Sequence, residues 1–417
     1  MEIKATRDQK THWPSILILI VLAIGIVFFL GISFVMGLLS VVQLFDDSGT
    51  AADNMIVAFS AGSEFILLLI CAWFVFQKTS GNESAERPGN FPFASWQLLV
   101  IPLIVLVSIS FGGAITYAAN KYLSWFFLPL ATLFVILPPI FLYVGLGANG
   151  IGIGQRWRTW STIGLGLTIS PALMIALELF ILIFALLVVA VFLSFQPGKL
   201  QEYQFFFQQL NRQTDQDAAL EMVAPYLSDP RVIAAIFGYI ALIVPLIEEM
   251  LKPLAVWLFA RSIVKPSQGF VLGMLSGGAF AVIESLNASA DGSESWPVVV
   301  GVRAGTSLLH IVLTGLMGHA IVGAFQEKRI GRLFGTYFSV VAIHGIWNAC
   351  AIAAGLSANG EALGRPEWMA AFLPASLCGL GVLGIGIFTV LIASNRKIHT
   401  LAKATPVPVS LPVGDKE

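Results

Sequence analysis

The stretch ILILIVLAIGIVFFLGISFVMGLLSVV, residues 16–42, decides the class of fold, because it contains no charged side chain. A transmembrane helix needs about 20 consecutive apolar residues, and this run exceeds that length. It follows a basic flank, but it is too long for the core of a signal peptide and lacks a small-residue cleavage site. We therefore expect it to be a membrane-spanning helix that the mature protein retains.

The composition of the whole chain agrees with this interpretation. Of the 417 residues, 57% are hydrophobic and only 11% are charged, and the mean hydropathy is +0.85. Soluble domains carry about 25% charged residues, so a water-soluble fold is excluded. The net charge of -1 argues against nucleic acid as a partner. Cys71, Cys350 and Cys378 each lie within an apolar run, which argues against a disulfide framework or a thiolate metal site.

Further apolar runs of similar length follow along the chain and predict an all-α fold, a polytopic transmembrane helix bundle of about ten spans in contact with membrane lipid. The predicted spans lie near residues 15–42, 55–77, 96–119, 125–147, 164–195, 232–260, 269–289, 298–325, 333–357 and 368–394. Lys and Arg concentrate in alternate connections, such as those holding Arg156 and Arg158 or Arg261 and Lys265. Because cytoplasmic loops retain positive charge, we expect both termini in the cytoplasm. A prokaryotic plasma (inner) membrane is the expected location.

Four regions follow from this pattern. Residues 1–197 form an N-terminal five-helix membrane region of unknown role, and residues 231–395 form a C-terminal five-helix catalytic membrane domain. Residues 198–230 are an extracytoplasmic amphipathic connection, in which residues 205–207 and Leu210 can make one apolar stripe. Residues 396–417 are too poor in bulky apolar side chains to pack and are expected to be a disordered cytoplasmic tail.

Charged residues within the predicted sixth span show where function is to be sought. The sequence ALIVPLIEEMLKPLAVW, residues 241–257, holds Glu248, Glu249 and Lys252 near the middle of the membrane. A charge there costs at least about 2.5 to 3.5 kcal/mol, so it needs a reason. Glu248 and Lys252 lie one helical turn apart, whereas Glu249 is rotated by about 100°. Lys252 is therefore expected to hold one carboxylate ionised while the other faces a different neighbour.

The next three predicted spans each add polar groups. The seventh holds Glu284, preceded by the pair Gly277 and Gly278, which allows another helix to approach closely. The eighth places Arg303, His310 and Thr314 on one face, and the ninth places His344 and Asn348 on one face. We expect these faces to meet in one cavity.

Such a set permits hydrolysis in two ways that the sequence leaves open. One carboxylate can act as general base on water, a second can protonate the leaving amine, and Asn348 can stabilise the oxyanion. Alternatively, His310, His344 and one or more glutamates, Glu284 among them, can bind a zinc ion that activates the water. Neither an HExxH helix nor a GxSxG motif is present, which excludes the common zincin and serine-hydrolase patterns.

At these residues the sequence resembles the PrsW-type intramembrane proteases, a branch of the larger group that includes CAAX prenyl endopeptidases and bacteriocin-processing enzymes. The resemblance covers residues 235–356 through four ordered patterns, which are E-E-x-x-K from Glu248, F-x-x-x-E from Phe280, an Arg followed by a helix-borne His from Arg303, and H-x-x-x-N from His344. Ala288 departs from the family, whose members often carry an aromatic residue there.

The resemblance implies a membrane-embedded protease in which Glu248 and Glu249 activate water, while Lys252 and Arg303 support the site. Glu284, His310 and His344 would complete an acid-base or metal site, and Asn348 would support the oxyanion. The implied substrates are membrane-anchored proteins, for example anti-sigma factors cut near the outer membrane face.

Other interpretations remain open at this point. Buried Glu and His also form proton relays, so a proton- or cation-coupled transporter is the alternative function, and a non-catalytic scaffold is a third. Lys252 can form a structural ion pair, Arg303 can simply pair with a glutamate, and Asn348 can be an interhelical hydrogen-bond link. His319 is expected to be structural. Glu64 and Glu178 are buried charges for which the sequence indicates no role.

Overall fold

The computed structural model describes residues 12–46, 49–213, 216–227, 229–290, 292–293, 295–358 and 371–404. These residues form fifteen α-helices and one short two-stranded antiparallel sheet. The helices are α1 (Trp13–Phe45), α2 (Ala51–Thr79), α3 (Gln97–Tyr117), α4 (Lys121–Ala148), α5 (Arg156–Leu167), α6 (Ile169–Ser194), α7 (Lys199–Arg212), α8 (Gln216–Leu227), α9 (Pro230–Gly238), α10 (Val244–Leu251), α11 (Leu254–Phe259), α12 (Pro266–Ala288), α13 (Trp296–Glu327), α14 (Ile330–Ala358) and α15 (Phe372–Ala404).

The predicted all-α membrane bundle is confirmed. Within the described residues, ten helical segments are long and apolar enough to cross a membrane, and each coincides with a predicted span. Large apolar side chains remain exposed along α1 and α6, for example Phe34 and Phe184, as expected of helices that face lipid. α15 continues to Ala404, which corrects the expectation of a disordered tail from residue 396. Residues 1–11 and 405–417, which include the rest of that tail, lie outside the described part.

The fifth and sixth predicted spans are not single helices. α5 and α6 meet at Thr168, whose backbone leaves helical geometry at φ -122° and ψ -84°. The sixth span consists of α9, a π-helical segment Tyr239–Ile243, α10 and α11. In that span Pro245 and Pro253 each lack a backbone N–H and cannot continue the regular helical hydrogen bonding. These breaks place an irregular backbone on both sides of Glu248 and Glu249.

A small two-stranded sheet lies between the end of α2 and the start of α5 along the fold. β1 (Pro88–Asn90) pairs antiparallel with β2 (Gly152–Gln155). Both strands lie in connections between predicted spans. Gly154 adopts φ +83°, a left-handed conformation that favours glycine.

α12 crosses α13 at unusually short range because glycines line the contact. Gly269, Gly273 and Gly277 recur every four residues on α12. A Cβ at Gly273 would strike the Thr314 carbonyl, and one at Gly277 would strike the His310 carbonyl. The expected close approach therefore occurs at Gly277, and the repeated G-x-x-x-G spacing extends it along the helix.

The two predicted membrane regions share one hydrophobic core. Trp296 at the start of α13 is fully buried, packs on Gly112 of α3 and donates from Nε1 to Thr132 Oγ1 of α4 at 3.0 Å. The predicted amphipathic connection contains two helices, α7 and α8. Phe206 of α7 packs on Tyr226 of α8, with ring centroids 4.5 Å apart. α12 contacts α2, α4 and α5 as well as α13, and α13 itself contacts α3 and α4.

Candidate active site

The broken sixth span brings Glu248, Glu249 and Lys252 into the middle of the bundle. π-Helical segments frequently mark functional sites, and this one immediately precedes α10. The Lys252 carbonyl, at the end of α10, accepts a hydrogen bond from Ser276 Oγ of α12 at 2.5 Å. Tyr337 of α14 donates to the Leu246 carbonyl at 2.8 Å. Neighbouring helices thus stabilise the irregular backbone that carries the acidic pair.

Lys252 is fully buried and contacts three polar groups. Its Nζ lies 2.8 Å from Glu248 Oε2, 2.9 Å from Glu249 Oε1 and 2.8 Å from His310 Nδ1. The expectation that Lys252 serves one carboxylate while the other faces elsewhere is therefore wrong. The Lys side chain is long enough to reach both the i-3 and i-4 positions, so one ammonium stabilises both negative charges. It also lies 4.7 Å from the centre of the Phe280 ring.

His344 completes the acidic pair from α14. Its Nδ1 lies 2.9 Å from Glu249 Oε1, and its Nε2 lies 3.8 Å from Glu248 Oε2. Glu249 is completely buried and His344 is 2% exposed. Gly345, next to His344, packs directly on the Ala241 carbonyl of the π-helical segment, where a Cβ would not fit. This close approach holds His344 against α10.

Glu284 and Arg303 extend the cluster towards a cavity. His310 Nε2 lies 2.5 Å from Glu284 Oε2, and Arg303 Nη1 lies 3.1 Å from Glu284 Oε1. Both side chains are 32% exposed, whereas His310 is buried. Arg303, Glu284, His310, Lys252 and the Glu249–His344 pair therefore form one continuous polar chain across four helices.

A cavity of about 710 Å³ lies beside this chain, between α10, α12, α13, α14 and α15. Six predicted site residues line it: Glu248, Glu284, Arg303, His310, His344 and Asn348. Glu249 and Lys252 lie behind them. The rest of its wall is apolar and includes Val302, Trp347 and Leu377.

Three other polar residues named in the sequence analysis are not part of the continuous polar chain that runs from Arg303 to His344. Asn348 donates from Nδ2 to the Ile240 carbonyl at 3.0 Å, which is the interhelical link that the sequence left open, although its side chain still lines the cavity. Thr314 is buried behind Gly277 and does not line the cavity. His319 lies with Nδ1 3.1 Å from the Pro266 carbonyl, in agreement with a structural role.

Glu178 of α6 is a member of the site's surroundings to which the sequence analysis assigned no role. Its helix α6 packs against α10, which carries Glu248, and its backbone carbonyl accepts a hydrogen bond from the Tyr239 hydroxyl at 2.9 Å. Met174 of α6 packs with Ile247 in a separate apolar cluster. The sequence shows that Glu178 is a carboxylate within an apolar run. Because Glu178 lies far along the chain from the other site residues, the sequence does not show that it lies near them in the fold.

The geometry allows a metal ion. Glu248, Glu249, His310 and His344 each offer one ligand atom, and these four atoms all lie within 4.8 Å of one another. Glu249 Oε2 is buried and has no hydrogen-bond partner within the described part of the chain, so this oxygen is available to a ligand. Carboxylate oxygen and imidazole nitrogen are ligands that zinc accepts. The residues therefore fit a divalent metal, with Glu248 and Glu249 in the set in place of the expected Glu284.

A comparison with protein-family models gives a match. Residues 175–375 match the family model described as PrsW family intramembrane metalloprotease, which confirms the resemblance found in the sequence. The matched segment runs from α6 into α15, so it is wider than residues 235–356 and includes Glu178 with all eight predicted site residues. No curated protein and no solved structure matches the chain.

Proposed function

Starting from the PrsW family match of residues 175–375, we propose that this protein is an intramembrane endopeptidase that hydrolyses peptide bonds of membrane-anchored proteins. One observation carries the proposal. Glu248 and His344 face an apolar cavity from the end of a buried network whose other groups are already paired. A structural ion pair would need two charges, whereas this network joins three carboxylates, two cations and two imidazoles.

Glu248 is the residue that activates the water, and His344 lies beside it. The 3.8 Å between Glu248 Oε2 and His344 Nε2 is too long for a direct hydrogen bond, and one water between them would contact both groups. Glu249 fixes the orientation of the His344 ring through Nδ1. Lys252 stabilises the negative charge on Glu248, so that carboxylate can accept the proton of the attacking water as a general base.

The leaving amine receives its proton from the other end of the cluster. His310 Nε2 and Glu284 Oε2 lie 2.5 Å apart at the cavity wall and can share a proton. Arg303 holds Glu284 in place through its other oxygen. Asn348 donates one amide hydrogen to the Ile240 carbonyl. Its second amide hydrogen can bond to the oxyanion of the tetrahedral intermediate.

A divalent metal, zinc being the expected one, would be held by Glu248, Glu249, His310 and His344. When bound it would act as a Lewis acid and make the bound water acidic enough to attack at neutral pH. The neighbouring Lys252 already stabilises the same carboxylates, so the chain's own residues supply part of that positive charge.

The cavity indicates the kind of substrate. Its apolar wall between α14 and α15, with Ala351 and Leu377, accepts apolar side chains, and we propose that substrates enter between these two helices. A helical substrate must unwind locally, because its carbonyls are otherwise bonded within the helix. We also propose that both termini lie in the cytoplasm and that the protein resides in a prokaryotic plasma membrane.

The test is cleavage of a panel of single-span membrane proteins in proteoliposomes, with and without a chelator. Wild type is compared with Glu248→Gln and Glu249→Gln, and with Glu64→Gln, which changes a buried membrane carboxylate outside the matched region. Loss of cleavage in the first two variants alone supports the protease, and the chelator separates metal from glutamate chemistry. A wild type that cuts nothing, with variants that differ only in ion flux, would favour the transporter instead.

A further inference from the structure

We propose that a second cavity, between α2, α4, α5 and α12, binds one acyl chain of an anionic phospholipid whose headgroup contacts Arg156. The cavity has a volume of about 460 Å³, which lies within the usual range of small-molecule sites, roughly 300 to 1,000 Å³. It shares no lining residue with the candidate active site.

The interior of this cavity is suited to hydrocarbon. Leu67 of α2, Leu137 and Val144 of α4, Ile163 of α5, and Leu275 and Val282 of α12 line it. Thr159, a polar member of the lining, already bonds to the Gln155 carbonyl at 3.1 Å. Leu275 and Val282 are two helical turns apart, so the cavity runs at least about 10 Å along α12. A peptide backbone would leave its polar groups unpaired on such a wall, whereas an acyl chain has none.

The mouth of the cavity lies where a lipid headgroup would be found. α4 ends at Ala148 and α5 begins at Arg156, so this end of both helices reaches the membrane boundary. Gly89 and Asn90 of β1 and Ile153 of β2 belong to the lining at the same end. A lipid chain can therefore lie inside while its headgroup stays at the boundary.

Charge at the mouth selects an anionic headgroup. Arg156 is the charged residue of the lining, and its backbone N–H donates to the Arg87 carbonyl at 3.3 Å, which brings two arginines together. Neither guanidinium makes an ion pair or hydrogen bond in the described part of the chain, whereas nearby Lys78 is paired with Glu86. A phosphate is the group that arginine binds in bidentate fashion.

The test uses the full-length protein, purified in detergent and stripped of lipid. Native mass spectrometry measures binding of phosphatidylglycerol and of phosphatidylcholine with identical acyl chains. We expect one phosphatidylglycerol per chain at concentrations where phosphatidylcholine does not bind. Arg156→Glu should weaken that binding by about tenfold or more, since it removes a charge-assisted contact. Arg261→Glu, which makes the same change in the exposed connection after α11, should bind as wild type does.

A second variant and a second measurement address the interior. Ile163→Phe should reduce binding by filling the cavity, and its thermal unfolding without lipid shows whether it folds. Phosphatidylglycerol with a photoreactive group on the acyl chain should label peptides of α4 and α12 in wild type, independently of either variant. Equal binding of the two lipids, unchanged binding in Arg156→Glu, or labelling confined to the lipid-facing α6 would each overturn the proposal.

Discussion

Two buried carboxylates in similar helices have opposite surroundings. Glu64 of α2 is fully buried, and neither of its oxygens has a hydrogen-bond partner within the described residues. Glu249 of α10 is equally buried, but it contacts Lys252 and His344. An unpaired charge in the membrane costs at least about 2.5 to 3.5 kcal/mol. Glu249 therefore offsets that cost through its partners, whereas Glu64 has none within the described residues.

The comparison shows that burial alone does not mark a functional carboxylate. What distinguishes Glu249 is its membership of a network that ends at a cavity. The glycines of α12 also fall into two groups. Those on one face of the helix must touch α13, whereas the other face lies against the second cavity.

The largest effect is expected from the carboxylates themselves. Glu249→Gln should lower the cleavage rate by about 10² to 10⁴, because His344 loses the charge that holds its ring in orientation and tautomer. Glu64→Gln should leave the rate near that of wild type. Initial rates in proteoliposomes measure both. If the two variants lose activity equally, the distinction between the two regions is wrong.

Removal of Lys252 should act mainly on stability. Lys252→Met leaves Glu248, Glu249 and His310 without their shared ammonium, and breaking a buried charge pair costs about 3 to 5 kcal/mol. Thermal unfolding in detergent measures the change. A second substitution, Glu249→Gln on top of Lys252→Met, should recover part of the loss, since it removes one unpaired charge. No recovery would mean that Lys252 and Glu249 act independently.

The α12–α13 crossing offers a pair of adjacent residues. Gly277→Ala should destabilise the protein by about 1 to 3 kcal/mol, because its Cβ would press on the His310 carbonyl and displace the His310 imidazole ring. A Cβ at Gly278 would make only ordinary van der Waals contacts, with Ile140 at 3.4 Å, Val144 at 3.5 Å and Ile311 at 3.7 Å. Gly278→Ala should therefore be neutral or stabilising by up to about 1 kcal/mol, the gain in helix propensity. Unfolding temperature and cleavage rate should both separate the two variants.

Substrate entry between α14 and α15 can be tested with a reversible cross-link. A Cβ added at Gly379 would lie 3.1 Å from Cys350 Sγ, close enough for a disulfide in Gly379→Cys. Under oxidising conditions cleavage should fall by about tenfold, as expected when a gating motion is blocked, and reductant should restore it. Gly379→Ser should not respond to redox conditions. Full activity of the cross-linked protein would place the entrance elsewhere.

The smallest effect is expected at the boundary of the N-terminal helices, where Lys78 pairs with Glu86. The hydrogen bond and charge of Lys78 lower the pKa of Glu86. A lowered folded-state pKa means that this pair stabilises the fold above the unfolded-state pKa and is lost as the pH falls through the folded-state value. Glu86→Gln should therefore reduce unfolding free energy by at most about 1 kcal/mol at neutral pH, and by nothing in acid. Denaturation at both pH values measures it.

The sequence alone determined the membrane class, the number of spans and the residues of the candidate site. Apolar runs longer than about 20 residues leave few alternatives to a transmembrane helix, and a charged residue within such a run is visible without any structure. The four ordered patterns from Glu248 to Asn348 showed the resemblance to the PrsW family for the same reason, since each is a short run within one predicted span.

Only the tertiary structure decided which of these residues touch. Lys252 serves both glutamates, Asn348 bonds to the Ile240 carbonyl, and Glu284 faces His310 and Arg303. Helix breaks at Pro245 and Pro253, and the rotation of α12 against α13, set these contacts. The physical reason is that helical periodicity fixes the face of a residue on its own helix, whereas the helix that this face meets depends on packing between segments distant in the chain.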